Sequence, residues 1–217
     1  MSVVDWKSAL TPLPLIAILR GIRPENARKI IGALCEAGFR AVEVPLNSPQ
    51  PLRSIEIAAR EFADGLLVGA GTVLRPEDAH GVREAGGQFV VSPNTDPTVI
   101  TATKSLGLVS VPGVSTPSEA FTALNAGADI LKAFPAEALP PKIIKAWRAV
   151  LPEETWLLPV GGITPEAMAP YLAMGADGFG LGSSLFRPDF SSVEVSKHAR
   201  LFVSAYRSLM DHRSDAP

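Results

Sequence analysis

One lysine stands where a lysine is hard to keep. Of seven lysines, Lys132 alone lies inside an apolar run, Ile130-Leu131-Lys132-Ala133-Phe134-Pro135, that otherwise reads as a buried strand. Burial disfavours the ammonium form and lowers the pKa, which lets an amine attack a carbonyl and form a Schiff base near neutral pH. By itself such a lysine could snorkel its charge into solvent. A second residue argues against that. Glu43, in Ala41-Val42-Glu43-Val44-Pro45-Leu46, is the only one of thirteen glutamates set inside an apolar strand. A carboxyl held there is pushed towards a pKa at which it can both give and take protons, as carbinolamine formation, dehydration and C–C cleavage require. A purely structural ion pair with Arg20 or Lys132 is the competing reading, and a buried pair is weak evidence for stability.

Arg20 and Thr72 close two other strands. An α-keto acid carries a carboxylate beside its carbonyl; arginine offers it two parallel donors and threonine one more. Two glycine-rich turns, Val160-Gly161-Gly162-Ile163 and Gly180-Leu181-Gly182-Ser183-Ser184, suit a phosphate, because glycine lets backbone N–H groups approach closely. Phe134 and Pro135 bound the tip of the Lys132 strand and would wall an imine from water, though Phe134 could equally be ordinary core. The histidines, His80, His198 and His212, have no ligand spacing, so a metal-dependent enolate mechanism lacks its ligands and no metal is expected.

The elements that must position these residues alternate along the chain. Gly65, Gly86, Gly107 and Gly127 recur at intervals of 20 or 21 residues, and each suits the left-handed residue that stops a helix. Reading strands after such glycines predicts eight: Leu15 to Arg20, Ala41 to Leu46, Leu66 to Val73, Phe89 to Pro93, Leu108 to Gly113, Ile130 to Pro135, Trp156 to Ile163 and Gly178 to Leu185. They are continuous apolar runs, as strands covered on both faces require. Eight βα units without a Rossmann glycine fingerprint point to an α/β fold, a (β/α)8 TIM barrel, with a doubly wound open sheet as the alternative. Helix starts are expected at Pro24, Ser48-Pro49, Pro76, Asp96-Pro97, Thr116-Pro117 and Thr164-Pro165, where caps and first-turn prolines combine. A short helix before Pro12 would cap the barrel bottom, a last helix from about Val193 to Leu209 would close it, and Asp211 to Pro217 reads as a frayed tail. In such a barrel sites are built at the carboxyl ends of the strands, where Arg20, Glu43, Asn47, Thr72, Ser92-Pro93-Asn94 and Lys132 all fall.

The chain has 217 residues, 47% hydrophobic and 19% charged, enough for one domain with a sizeable core. A net charge of −2 offers no basic patch to nucleic acid or an anionic membrane. The single cysteine, Cys35, permits no disulfide framework. With no signal-like amino terminus and no run of 18 apolar residues, a cytoplasmic protein is expected.

From about Pro14 to Arg187 the chain resembles the class I aldolases that cleave 2-keto-3-deoxy-6-phospho sugar acids. The resemblance is carried by Ala17-Ile18-Leu19-Arg20-Gly21, Glu43-Val44-Pro45-Leu46-Asn47-Ser48-Pro49, Gly69-Ala70-Gly71-Thr72-Val73, Ser92-Pro93-Asn94, Leu131-Lys132-Ala133-Phe134-Pro135-Ala136-Glu137 and Val160-Gly161-Gly162. It implies Lys132 as the Schiff-base lysine and Glu43 as the general acid/base. Substrate contacts would fall at Arg20, Thr72, Gly162 and Ser183, in a homotrimer without cofactor. Within the family, Asn47 stands where the gluconate-acting branch carries arginine and Val160 where it carries threonine, so the chain is similar to the galactonate-acting branch. A phosphosugar isomerase or a non-enzymatic phosphosugar sensor could share the phosphate turns, but neither needs a buried lysine and a buried glutamate together.

Overall fold

Each apolar run that the sequence marks as a strand pairs in parallel with the next, so the backbone groups of one buried strand are satisfied by its neighbours. The computed structural model describes residues 5–214. Its strands are β1 (Leu15–Ile18), β2 (Ala41–Pro45), β3 (Leu67–Gly71), β4 (Phe89–Val91), β5 (Val109–Val111), β6 (Gly113–Val114), β7 (Ile130–Ala133), β8 (Trp156–Pro159) and β9 (Phe179–Leu181). One sheet runs β5-β4-β3-β2-β1-β9 and a second β6-β7-β8. The fold is α/β, built on a curled parallel sheet.

Two seams join the sheets. At one, Val160, just past β8, makes a parallel bridge to Gly180 in β9. At the other, β5 and β6 are one run interrupted at Pro112. Proline has no N–H to donate there, but its carbonyl accepts from Lys132 N at 2.9 Å, and Ser110 O accepts from Asp129 N at 3.0 Å.

The intervening helices are α2 (Pro24–Ala37), α3 (Pro51–Glu61), α4 (Pro76–Glu84), α5 (Pro97–Ser105), α6 (Pro117–Asn125), α7 (Pro141–Arg148) and α8 (Met168–Ala173), with α1 (Trp6–Leu10) before them and α9 (Ser192–Ser214) after. The expected caps act at Asp96, which accepts from Thr98 N, and at Thr116, which accepts from Glu119 N. The helix-exit glycines take φ between 70° and 110°. Two layers of core result. Helix faces pack on the outside of the sheet around Phe39, Phe179 and Phe202, each worth about 1.5–3 kcal/mol of burial. Inside the curl, Ile16, Ala41, Leu67, Phe89, Val109, Val111, Ile130 and Leu158 meet Trp6 and Leu10 of α1, with Trp6 edge-on to Trp156 at 5.0 Å.

Several boundaries differ from the sequence reading. The strands stop short of Arg20, Val73, Pro93, Pro135, Ile163 and Leu185; Thr72 leaves the extended region at a φ of 56° before Val73, and Pro93 and Pro135 have no N–H to pair. The fifth strand breaks at Pro112. The third helix begins at Pro51, not Pro49, after Gln50 adopts a φ of 44°, and the eighth begins at Met168 after a turn in which Ala167 N donates to Thr164 Oγ1. The last helix continues to Ser214, through residues read as a frayed tail; 215–217 lie outside the described residues. Among the described residues no helix is long and apolar enough to cross a membrane.

Candidate active site

Glu43 lies mid-strand in β2, beside Ile18 of β1 and Gly69 of β3, and its carbonyl accepts from Leu19 N at 2.8 Å. Its side chain leans over Gly71: a Cβ on Gly71 would lie 2.8 Å from Glu43 Cγ and inside the carboxylate. Glycine there is thus a requirement of close approach. The carboxyl is 2% exposed, and Oε1 has no hydrogen-bond partner among the described residues. Burial pushes its pKa above the usual carboxylate range, while the charges of Lys132 and then Arg20 pull it back.

Lys132, on β7 between Gly113 and Leu158, is 5% exposed. Burial lowers its pKa first; the Glu43 carboxylate works against that and the Arg20 guanidinium adds to it. Its Nζ stands 4.7 Å from the centre of the Phe134 ring, which is half-buried. The two groups that sequence alone singles out are therefore electrostatically coupled from separate sheets. Arg20 is exposed at the end of β1 and donates from Nη1 to Asn47 Oδ1 at 2.8 Å.

Lys132 opens onto a cavity of about 310 Å³. Of the expected site residues, Arg20, Lys132, Phe134, Val160, Gly161, Gly162, Gly182 and Ser183 line it. Glu43, Asn47 and Thr72 do not. Glu43 reaches the site through its coupling to Lys132, and Asn47 through Arg20. Thr72, one residue past β3, adopts a φ of 56°, a strained value for a β-branched residue, and among the described residues no hydrogen bond engages it. At the two turns, φ is 113° at Gly161 and 62° at Gly162, and among the described residues no hydrogen bond engages the backbone of Gly162 or Ser184. Past Gly182 the chain turns at once, its carbonyl accepting from Leu185 N and Phe186 N. The two turns thus bring the unengaged amides of Gly162 and Ser184 to the cavity that Lys132 lines.

Sequence reasoning missed two charged residues of this wall. Arg187 follows Ser183 by four residues, donates from Nε to Ser183 O and stacks 5.4 Å from the Phe190 ring. Glu137 stands two residues past Pro135, beyond a cis Phe134–Pro135 bond. Arg187 was findable as the first cation after the second glycine turn. Glu137 sat within a quoted motif but on no strand. Among the described residues no group of three His, Cys, Asp or Glu side chains could hold a metal ion.

A family model described as "Aldolase: KDPG and KHG aldolase" matches residues 6–201. The chain belongs to this aldolase family. It is a lyase, a class I Schiff-base aldolase. It is 48% identical over 204 residues to the 2-dehydro-3-deoxy-6-phosphogalactonate aldolase of Escherichia coli (strain K12), covering 94% of this chain and 98% of that one. It is 49% identical over 193 residues to a probable 2-dehydro-3-deoxy-6-phosphogalactonate aldolase of Rhizobium meliloti (strain 1021), covering 89% and 91%. A solved structure described as "Native KDPGal structure" superposes with a TM-score of 0.91 at 47% identity over 93% of this chain and 98% of that one. For an aldolase of this family the site has an amine with a lowered pKa lining the cavity and a carboxyl with a raised one coupled to it.

Proposed function

We propose that the chain cleaves 2-dehydro-3-deoxy-6-phosphogalactonate to pyruvate and glyceraldehyde 3-phosphate. The observation that carries this reading is the coupled pair of buried groups, Lys132 with its pKa lowered and Glu43 with its pKa raised, of which Lys132 lines a cavity that the glycine turns also line. Neutral Lys132 attacks C2, forming the C–N bond. Glu43 delivers the proton with which hydroxide leaves as water, and the protonated imine becomes an electron sink. The Glu43 carboxylate, directly or through water, then takes the C4 hydroxyl proton. The C3–C4 bond breaks, its electrons pass into the enamine, and the aldehyde departs. Protonation at C3 and hydrolysis release pyruvate and restore the amine.

Arg20, braced by Asn47, grips the C1 carboxylate with help from Thr72, and Phe134 covers the imine. Gly161, Gly162, Gly182 and Ser183 hold the phosphate, and Arg187 adds charge there, fixing which bond is broken. The reading needs no cofactor. Its scaffold is a single domain over residues 1–217, a closed (β/α)8 barrel capped below by α1; the contacts at both seams support closure. A homotrimer in the cytoplasm is the assembly we favour, supported by the resemblance and by exposed apolar Leu52, Leu74 and Phe121. Light scattering tests it.

Pyruvate with borohydride should place a reduced pyruvyl adduct on one lysine, and peptide mapping should find it at Lys132. An adduct on Lys104 or Lys142, or none, overturns the mechanism. Lys132→Arg should fold and be inactive, because arginine keeps its proton and cannot attack.

A further inference from the structure

The phosphate end of the cavity already holds a negative charge. Glu137 is rooted on a 3-10 turn (Ala136–Ala138) held from two sides: Ala136 N donates to Val160 O at 2.9 Å, and Tyr171 Oη donates to Ala136 O at 2.9 Å. From that anchored turn its side chain lies against the double glycine. A Cβ on Gly162 would stand 3.0 Å from Glu137 Oε1 and 2.9 Å from Cγ, and a Cβ on Gly161 would stand 3.2 Å from Cδ and overlap Oε2. Both glycines are needed to admit this carboxylate. No hydrogen bond or ion pair engages it among the described residues, and it faces the same cavity as Lys132 and Arg187.

A carboxylate lying against the double glycine occupies ground that a phosphate would use. We propose that Glu137 is a specificity-determining residue: its carboxylate is an internal competitor for the glycine cradle, and a ligand's terminal anion must displace it or bind against it. This rests on the phosphate reading given above. The competition has a definite sign. A phosphate dianion gains more from Arg187 and the amides than a singly charged or neutral terminus does, so it can overcome a fixed negative charge that turns weaker ligands away. Glu137 thereby sets a charge threshold on the aldehyde half of the substrate, at the cost of some affinity for the phosphate itself.

Inorganic phosphate is the probe, as an inhibitor competitive with the cleaved sugar acid. Glu137→Gln keeps the side chain's size and removes its charge, so its inhibition constant should fall about three- to tenfold, for a charge a few ångströms away in a partly screened site. Glu137→Ala should move the same way. The KM for the phosphorylated substrate should fall with it, so the change appears in KM more than in kcat. Borohydride trapping of pyruvate by each variant checks that the pocket is assembled. If that check holds and phosphate binds no more tightly, or more weakly, to both variants, Glu137 is no competitor and the inference is overturned. If phosphate fails to compete in the wild-type protein, the phosphate end itself is misplaced, and this inference goes with it, while pyruvate trapping at Lys132 would still stand.

Discussion

Glu43 and Arg20 act on Lys132 with opposite signs. The Glu43 carboxylate favours the ammonium and raises the lysine's pKa, whereas the Arg20 guanidinium disfavours it and lowers the pKa. Imine formation needs the neutral amine, so its acid limb follows that pKa and should lie below the 10.5 of an ordinary lysine. Glu43→Gln should move the limb to lower pH and Arg20→Gln to higher pH, read from the rate of reduced pyruvyl adduct formation against pH. Shifts in the same direction would sink this account of the site. Turnover in Glu43→Gln should fall about 10²–10⁴-fold, as expected for losing a positioned proton carrier. These two residues were legible in the sequence because each is a charge inside an apolar strand, an arrangement that burial makes costly. Glu137 and Arg187 were not. They sit on turns, where a charged side chain costs nothing, and only the folding back of those turns brings them to the cavity.

Strands were legible for a related reason. Burial on both faces leaves a continuous apolar run bounded by helix-stopping glycines, so the runs appear as short parallel strands in two sheets, β5-β4-β3-β2-β1-β9 and β6-β7-β8. Their ends were not, because burial continues past the last strand residue: Leu19 and Val73 are fully buried and each still donates its N–H to the neighbouring strand. The fifth strand's break was visible as Pro112 but reads as a break only once Lys132 N is seen bonding past it. At this scale Gly71 is the position most open to test. It is the third-strand residue whose missing side chain makes room for the Glu43 carboxyl, so Gly71→Ala must either strain the sheet, at about 1–3 kcal/mol for overpacking, or push the carboxyl aside. Turnover should drop at least tenfold while circular dichroism shows the fold retained. Wild-type turnover in that variant would mean that Glu43 need not stand where it does.

Which epimer is cleaved depends on the whole molecule, since it requires both ends of the substrate to be fixed at once. On the proposed reading Lys132 on β7 fixes C2 and the turns after β8 and β9 fix the phosphate on C6, which puts C4 between them. Val160 is the last residue before the first of those turns; it lines the cavity, is 7% exposed and is held by bonds to Ala133 and Ala136 on the β7 side. It cannot be moved without moving both ends of the site. A threonine there could donate a hydrogen bond to a C4 hydroxyl pointing one way; valine cannot, and the epimer that would use it loses about 1–3 kcal/mol of transition-state binding if the bond is buried. We therefore expect kcat/KM to favour the galactonate-derived substrate by about tenfold or more. Val160→Thr should narrow that gap by improving the gluconate-derived epimer. Measuring both epimers with both proteins decides it. Equal cleavage, or a preference for the gluconate-derived epimer, would remove the branch assignment and leave Lys132 and Glu43 in their roles, because neither touches the carbon at which the two substrates differ until its hydroxyl proton is drawn off.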